Sequence, residues 1–284
     1  MTVADCRRGS GIPLEEVSGW VQAPSDASAV IPHRSLGLEV AVAGKVELFG
    51  VPVDLLTIDE TVGRCQELIE QRRPVQHAFI NAAEAVMMED VPGFRETLAA
   101  CDIVNADGQS IVWAARLLGV ALSGRVAGPD LMDRLLDLAE QMGYPVYFLG
   151  AKAEVLKEFE VATLKLHPRL AVVGRHHGYF DDDAAVADDI RRSGARLLFV
   201  AISSPRKEFF LSQNLDRIGP VFAMGVGGTF DLVAGVTRRA PRWMQDAGLE
   251  WLFRLIQEPR RMWRRYLIGN ARFLGLTLRA WWRS

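Results

Sequence analysis

The chain has 284 residues, 49% of them hydrophobic and 24% charged, with a formal net charge of −2. That is enough apolar material for a full globular core and excludes disorder for most of the length. No run of eighteen apolar residues is present, and no apolar segment follows Arg7 and Arg8, so neither a membrane span nor a secretory leader is expected. Cys6, Cys65 and Cys101 are far apart and form no CxxC pair, which argues against a disulfide framework or thiolate zinc site and for a reducing cytoplasm.

Residues 1–44 are rich in Ser, Gly, Pro and Ala, and a disordered extension without chemistry is expected there. From Val46, VELFGVPVDLLT reads as a β-hairpin around Phe49-Gly50, followed by a helix over 58–71. Apolar β-type runs at 75–80, 102–105, 145–149, 170–173, 196–202 and 220–224 then alternate with helical patterns near 83–90, 92–99, 109–119, 129–142, 152–166, 183–194, 205–217 and 228–235. This alternation predicts an α/β catalytic domain over 45–236, with a largely parallel sheet covered on both faces.

The tail from Thr237 to Ser284 differs in kind. It holds eleven Arg, no Lys, three acids (Asp246, Glu250, Glu258) and five of the seven Trp, a charge of +8 that leaves −10 on the rest. Leu252, Leu255, Ile256, Met262, Trp263, Tyr266, Leu267 and Leu274 recur at helical spacing, while Arg254, Arg261, Arg265, Arg272 and Arg279 step along another face. Pro259 should divide the pattern into two helices, the second starting just after Glu258. Such an appendage can lie on an anionic membrane surface or grip a phosphorylated ligand; a helical pair packed on the core with a solvated basic face is the plainer alternative.

Open parallel sheets bind ligands beyond the carboxyl ends of their strands, so the residues after each apolar run are the candidates. These are Asn81, then Asn105, Asp107, Gly108 and Gln109, then Gly150, then Ser204, Lys207 and Glu208, and finally Gly225, Gly227 and Gly228. Asp107, at a strand-to-helix turn beside a glycine, is the candidate general base, with simple N-capping of the following helix as its structural alternative. The glycines of GVGG can present backbone N–H groups to a diphosphate, or can serve close packing alone. Arg125, Arg238, Arg239 and Arg242 can clamp phosphate oxygens. Asp181, Asp182 and Asp183 read better as an acidic helix start than as a metal site, and His176-His177 lacks further ligands at zinc spacing.

Taken together, INAAEAV (80–86), NADG (105–108), RVAGPDL (125–131), YFLG (147–150), GYF (178–180), SPRKE (204–208), GVGGTFDLVAG (225–235) and RRAPRWMQDAGLEWLFRLIQEPRRMWRRY (238–266) resemble the bacterial glycosyltransferases of the WecG/TagA/CpsF type. The resemblance implies a Rossmann-like fold and inverting transfer of a sugar, an N-acetylhexosamine or related hexose, from a UDP-sugar to a polyprenyl-diphosphate-linked saccharide. It implies the base role for Asp107, substrate contacts at Asn81 and Asp231, and phosphate contacts from Arg125 and the arginines after Thr237. It implies no required metal or other cofactor, no nucleic-acid partner, and a cytoplasmic protein peripheral on the inner face of the plasma membrane, with a homo-oligomer left open. Two departures stand out: Phe79 where the family often carries Thr, and Lys207 where it often carries Gln. Lys207 can favour an acidic sugar or contact diphosphate. The same departures motivate the alternative of a non-catalytic peripheral membrane scaffold. A Rossmann oxidoreductase is disfavoured because Asn81-Ala82-Ala83 supplies no phosphate-loop glycines.

Overall fold

The computed structural model describes residues 44–283; for 246, 261, 262, 264, 265 and 283 it describes the backbone alone. The extension expected over 1–44 lies, apart from Gly44, outside the described residues. The hairpin forms as expected from β1 (Lys45–Leu48) and β2 (Val51–Asp54), with Val46 opposite Val53. Helix α1 (Ile58–Glu70) starts at a capping box, because Thr57 accepts from the Glu60 N–H and the Glu60 carboxylate accepts from the Thr57 N–H.

The chain continues through β3 (Val75–Ile80), α2 (Ala82–Asp90), α3 (Phe94–Ala99), β4 (Ile103–Ala106), α4 (Gln109–Leu117) and α5 (Gly128–Met142). It goes on through β5 (Val146–Gly150), α6 (Ala153–Leu166), β6 (Val172–His176), α7 (Asp183–Ser193), β7 (Leu197–Ala201), α8 (Arg206–Ile218), β8 (Phe222–Gly225) and α9 (Thr229–Val233). The six strands from β3 onward form one parallel sheet in the order β4-β3-β8-β7-β5-β6. Side chains alternate across it. Leu197, Phe199 and Ala201 of β7 join Phe148, Phe159 and Phe230 under α1, α5, α6 and α9, while Leu198 and Val200 pack under α7 and α8. A third apolar cluster joins the hairpin, α2, α3 and α4 to the opposite face of β3 and β4. Both faces are buried, which is why these strands read as continuous apolar runs.

Strand β6 lies two to three residues beyond the run expected at 170–173. It is an edge strand, so Arg175 can face outward and the polar Arg175-His176 pair joins β5 although its hydropathy argues against a strand. Gly174 is required there because a Cβ would stand 2.5 Å from the Tyr147 ring. Gly150 is constrained more severely. At φ 132° its missing Cβ would lie 2.4 Å from the Ala201 carbonyl oxygen, a backbone atom that cannot swing away. Gly150→Ala should therefore cost roughly 3 kcal/mol through overpacking and backbone strain, read as a lower urea midpoint with unchanged slope.

The tail forms α10 (Arg242–Asp246), α11 (Glu250–Gln257) and α12 (Pro259–Arg283), with the break at Pro259 where expected and the short α10 in addition. Helix α12 docks on the body along α2. Phe273 and Thr277, one helical turn apart, are buried, Phe273 meets the Phe49 ring edge-on at 5.7 Å, and Arg272 donates twice to Asp90 at 2.6 Å.

Candidate active site

Ile103, Asn105 and Asp107 share one side of β4 by strand alternation. Asp107 extends the ladder one residue past the strand, donating its N–H to the Ile80 carbonyl at 2.9 Å. Gly108 then turns the chain at φ 93° into α4 and is itself the N-cap residue, so Asp107 does not cap that helix. The neighbouring turn belongs to Asn81, whose side-chain oxygen accepts the Ala83 N–H at 2.7 Å and caps α2. The two turns adjoin, since a Cβ on Gly108 would be 3.8 Å from the Asn81 Cβ.

The Asp107 carboxyl is partly exposed and closely surrounded by protein, and it accepts no hydrogen bond from another described residue. Burial pushes it up to about 6; the Arg125 guanidinium opposes that rise, Glu250 adds to it, Arg254 opposes it and Glu84 adds to it. A carboxyl so placed is half ionised near pH 6 and mostly ionised at neutrality, which suits a general base.

Two of those neighbours come from the tail. Glu250, in the first turn of α11, pairs with Arg125 at 3.2 Å and with Arg254 at 3.6 Å. Gly248, just before α11, seats on α4, where a Cβ would stand 2.8 Å from the Gln109 Cγ. Arg239 is held by the Asp130 carboxylate through both terminal nitrogens, and its charge reaches Asp107. Arg238 is exposed, its backbone N–H and carbonyl both clasped by Gln257 at 3.0 Å, and Arg242 is exposed at the start of α10.

A second polar cluster sits beside the first. The Ser204 hydroxyl lies within hydrogen-bond distance of Glu84 at 3.2 Å and Glu208 at 2.9 Å, and Lys207 contacts both Ser204 and Glu208. Gly225 makes room for it, because a Cβ there would be 2.6 Å from the Lys207 Cε. One Oε2 each of buried Glu84 and Glu208 has no hydrogen-bond partner among the described residues. The Lys207 ammonium is thus paired within the cluster by the Glu208 carboxylate.

The remaining candidates are dispersed. Asn105 is fully buried, bonded to the His77 ring at 2.8 Å and donating to the Thr61 hydroxyl at 3.2 Å, so its amide ties β4 to β3 and α1. Gly150 is buried at the end of β5, four strands from β4 in sheet order. Gly227 and Gly228 border open space after β8, but α9 behind them has only five residues, and Asp231 is partly exposed on it. Asp182 caps α7 by accepting the Ala185 N–H, and Asp183 pairs with Arg206 at 3.6 Å. Among the described residues no group of three His, Cys, Asp or Glu could hold a metal. Two cavities lie away from Asp107: one of about 310 Å³ lined by Lys152, Glu154, His177 and Tyr179, and one of about 230 Å³ where α12 meets Phe49 and α2.

The model of the glycosyl transferase WecG/TagA/CpsF family matches residues 46–284, from the hairpin through the end of α12. The chain belongs to this family. It is a glycosyltransferase, and the match covers the tail as well as the sheet. Within this WecG/TagA/CpsF glycosyltransferase, Glu84, Glu250 and Arg254 are neighbours of Asp107 that reasoning from strand ends does not single out. Arg254 carries a trace in the sequence as the first of the stepped arginines. Glu250 carries a fainter one, as an acid at the head of a basic helix. Glu84 is indistinguishable from any first-turn helix acid.

Proposed function

We propose that this glycosyltransferase moves a sugar, an N-acetylhexosamine or related hexose, from a UDP-sugar to a polyprenyl-diphosphate-linked saccharide with inversion at the anomeric carbon. The observation that carries the proposal is the meeting of Asp107 with Arg125 from the catalytic domain and Arg254 from the tail. The ionised Asp107 accepts the proton of the acceptor hydroxyl as its oxygen forms the new bond to the anomeric carbon. The bond from that carbon to the β-phosphate oxygen breaks, and UDP leaves with the electron pair. Charge grows on the departing diphosphate, and prealigned guanidinium groups offset it without needing a metal.

The surface of α12 supports attachment to a membrane carrying the lipid acceptor. Trp263, Leu267, Leu274, Leu278 and Trp281 are exposed and recur at steps of four, seven, four and three, forming a stripe away from the docked Phe273 and Thr277. Among the described residues no helix is long and apolar enough to cross a membrane. The stripe instead suits a helix lying in the interface of an anionic inner leaflet, with roughly 1 kcal/mol of attraction from each arginine that reaches the headgroups.

The test is a panel of UDP-sugars offered with a synthetic prenyl-diphosphate saccharide, with the product detected by mass and its anomeric configuration assigned by NMR. One donor should yield an inverted glycoside, and activity should persist with EDTA. Absence of product from every donor, or retention of configuration, defeats the proposal.

A further inference from the structure

The cationic groups around Asp107 are already matched by carboxylates, and they are matched unequally. Arg239 is gripped by Asp130 through two parallel bonds, the strongest geometry open to a guanidinium. Glu250 instead divides itself: one oxygen meets Arg125 at 3.2 Å and the other meets Arg254 at 3.6 Å. One anionic group thus bridges a guanidinium of the catalytic domain and one of the tail, as the paired oxygens of a diphosphate would. The Glu250 side chain is 22% exposed on the first turn of α11, so a rotamer change can carry it to solvent, where an acid remains favoured at the helix start. It also stands near enough to Asp107 for the two negative charges to oppose each other, which favours its departure.

Resting on the donor-diphosphate function proposed above, we propose that Glu250 is an internal stand-in for the ligand's anionic group. Its carboxylate bridges Arg125 and Arg254 in the empty site, and an incoming diphosphate displaces it. The bound ligand then makes the domain-to-tail bridge that Glu250 made. Any anion must outcompete a carboxylate already in place, so weakly charged anions are screened out. Glu250 therefore acts as a specificity-determining residue that lowers affinity, in contrast to a residue that merely holds the arginines in position.

The two roles predict opposite signs. Isothermal calorimetry of the full chain with UDP, and separately with inorganic pyrophosphate, should show Glu250→Gln binding each about fivefold more tightly than wild type, the effect of removing one competing charge from a partly exposed pair. Glu158→Gln, on the exposed face of α6, should leave both affinities unchanged. In an Arg125→Gln background, which itself weakens binding, the gain from Glu250→Gln should fall to roughly twofold or less, because the contested partner is gone. Glu250→Asp, too short to bridge both arginines, provides a second variant should Glu250→Gln fold poorly, and it should also gain affinity. Equal or weaker binding by Glu250→Gln, or a full gain in the Arg125→Gln background, overturns the stand-in. Wild-type binding of UDP without that gain removes the stand-in and leaves the donor-diphosphate function intact. If neither protein binds UDP or pyrophosphate, both fall.

Discussion

Asp107→Asn should slow sugar transfer by roughly 10²- to 10⁴-fold, the usual contribution of a general base, while UDP binding persists. The same substitution should make the protein more stable at pH 8. In the folded chain the Asp107 carboxyl is pushed up to about 6 from an ordinary value of 3.8, so folding favours its neutral form. Its stabilising contribution is complete below about 3.8 and is lost as pH rises through about 6. Above that, wild type holds an ionised carboxylate in a partly buried place, whereas Asn needs no ionisation. At about 1.4 kcal/mol per pH unit, the gain at pH 8 is on the order of 3 kcal/mol, and it should vanish below pH 4. Thermal melts at pH 8 and pH 4 measure this directly. The wild-type rate should rise about tenfold per pH unit below pH 6 and level off above it, because only the ionised carboxylate can take the proton. Near wild-type turnover by Asp107→Asn, or a rate independent of pH between 5 and 7, would remove Asp107 from the base role.

Replacing Leu267, Leu274 and Leu278 together with Gln should weaken attachment to anionic vesicles by about three orders of magnitude. These side chains are 70%, 57% and 46% exposed, so their loss opens no cavity in the protein. Gln keeps helix propensity close to that of Leu and adds no charge. If each leucine gives about 1.3 kcal/mol on entering the interface, the three together account for roughly 4 kcal/mol of binding. Co-sedimentation with phosphatidylglycerol vesicles measures the loss, and the melting temperature should stay close to that of wild type. Raising the salt concentration should weaken wild-type attachment further by screening the arginines, while leaving the apolar part in place. Unchanged sedimentation of the triple variant would mean that the stripe does not touch lipid. Cutting the chain before Thr237 is a poorer test, because it also strips Phe273 and Thr277 from the body and Arg254 from the neighbourhood of Asp107.

Much of this molecule is written locally. The capping box at Thr57, the hairpin at Phe49-Gly50, the alternation of strands and helices and the break at Pro259 each depend on a few adjacent residues, whose dihedral preferences and side-chain spacing suffice to specify them. Asp107 could be singled out in the same way, because a carboxylate after a parallel strand and before a glycine already implies the rim of a sheet. What no local pattern contains is partnership across long separations. The strand order β4-β3-β8-β7-β5-β6 depends on which runs pack together. The polar β6 became a strand because an edge tolerates it. Asn105 and Ser204 look alike as polar residues beyond apolar runs, yet one is closed between His77 and Thr61 while the other joins the Lys207 cluster. Glu250 pairs with Arg125 across 125 residues, which places a tail carboxylate beside Asp107 and adds to the upward push that burial gives its carboxyl. Such contacts arise when the whole chain closes on itself, since the Coulomb and packing energies that create them act through space and are blind to distance along the sequence.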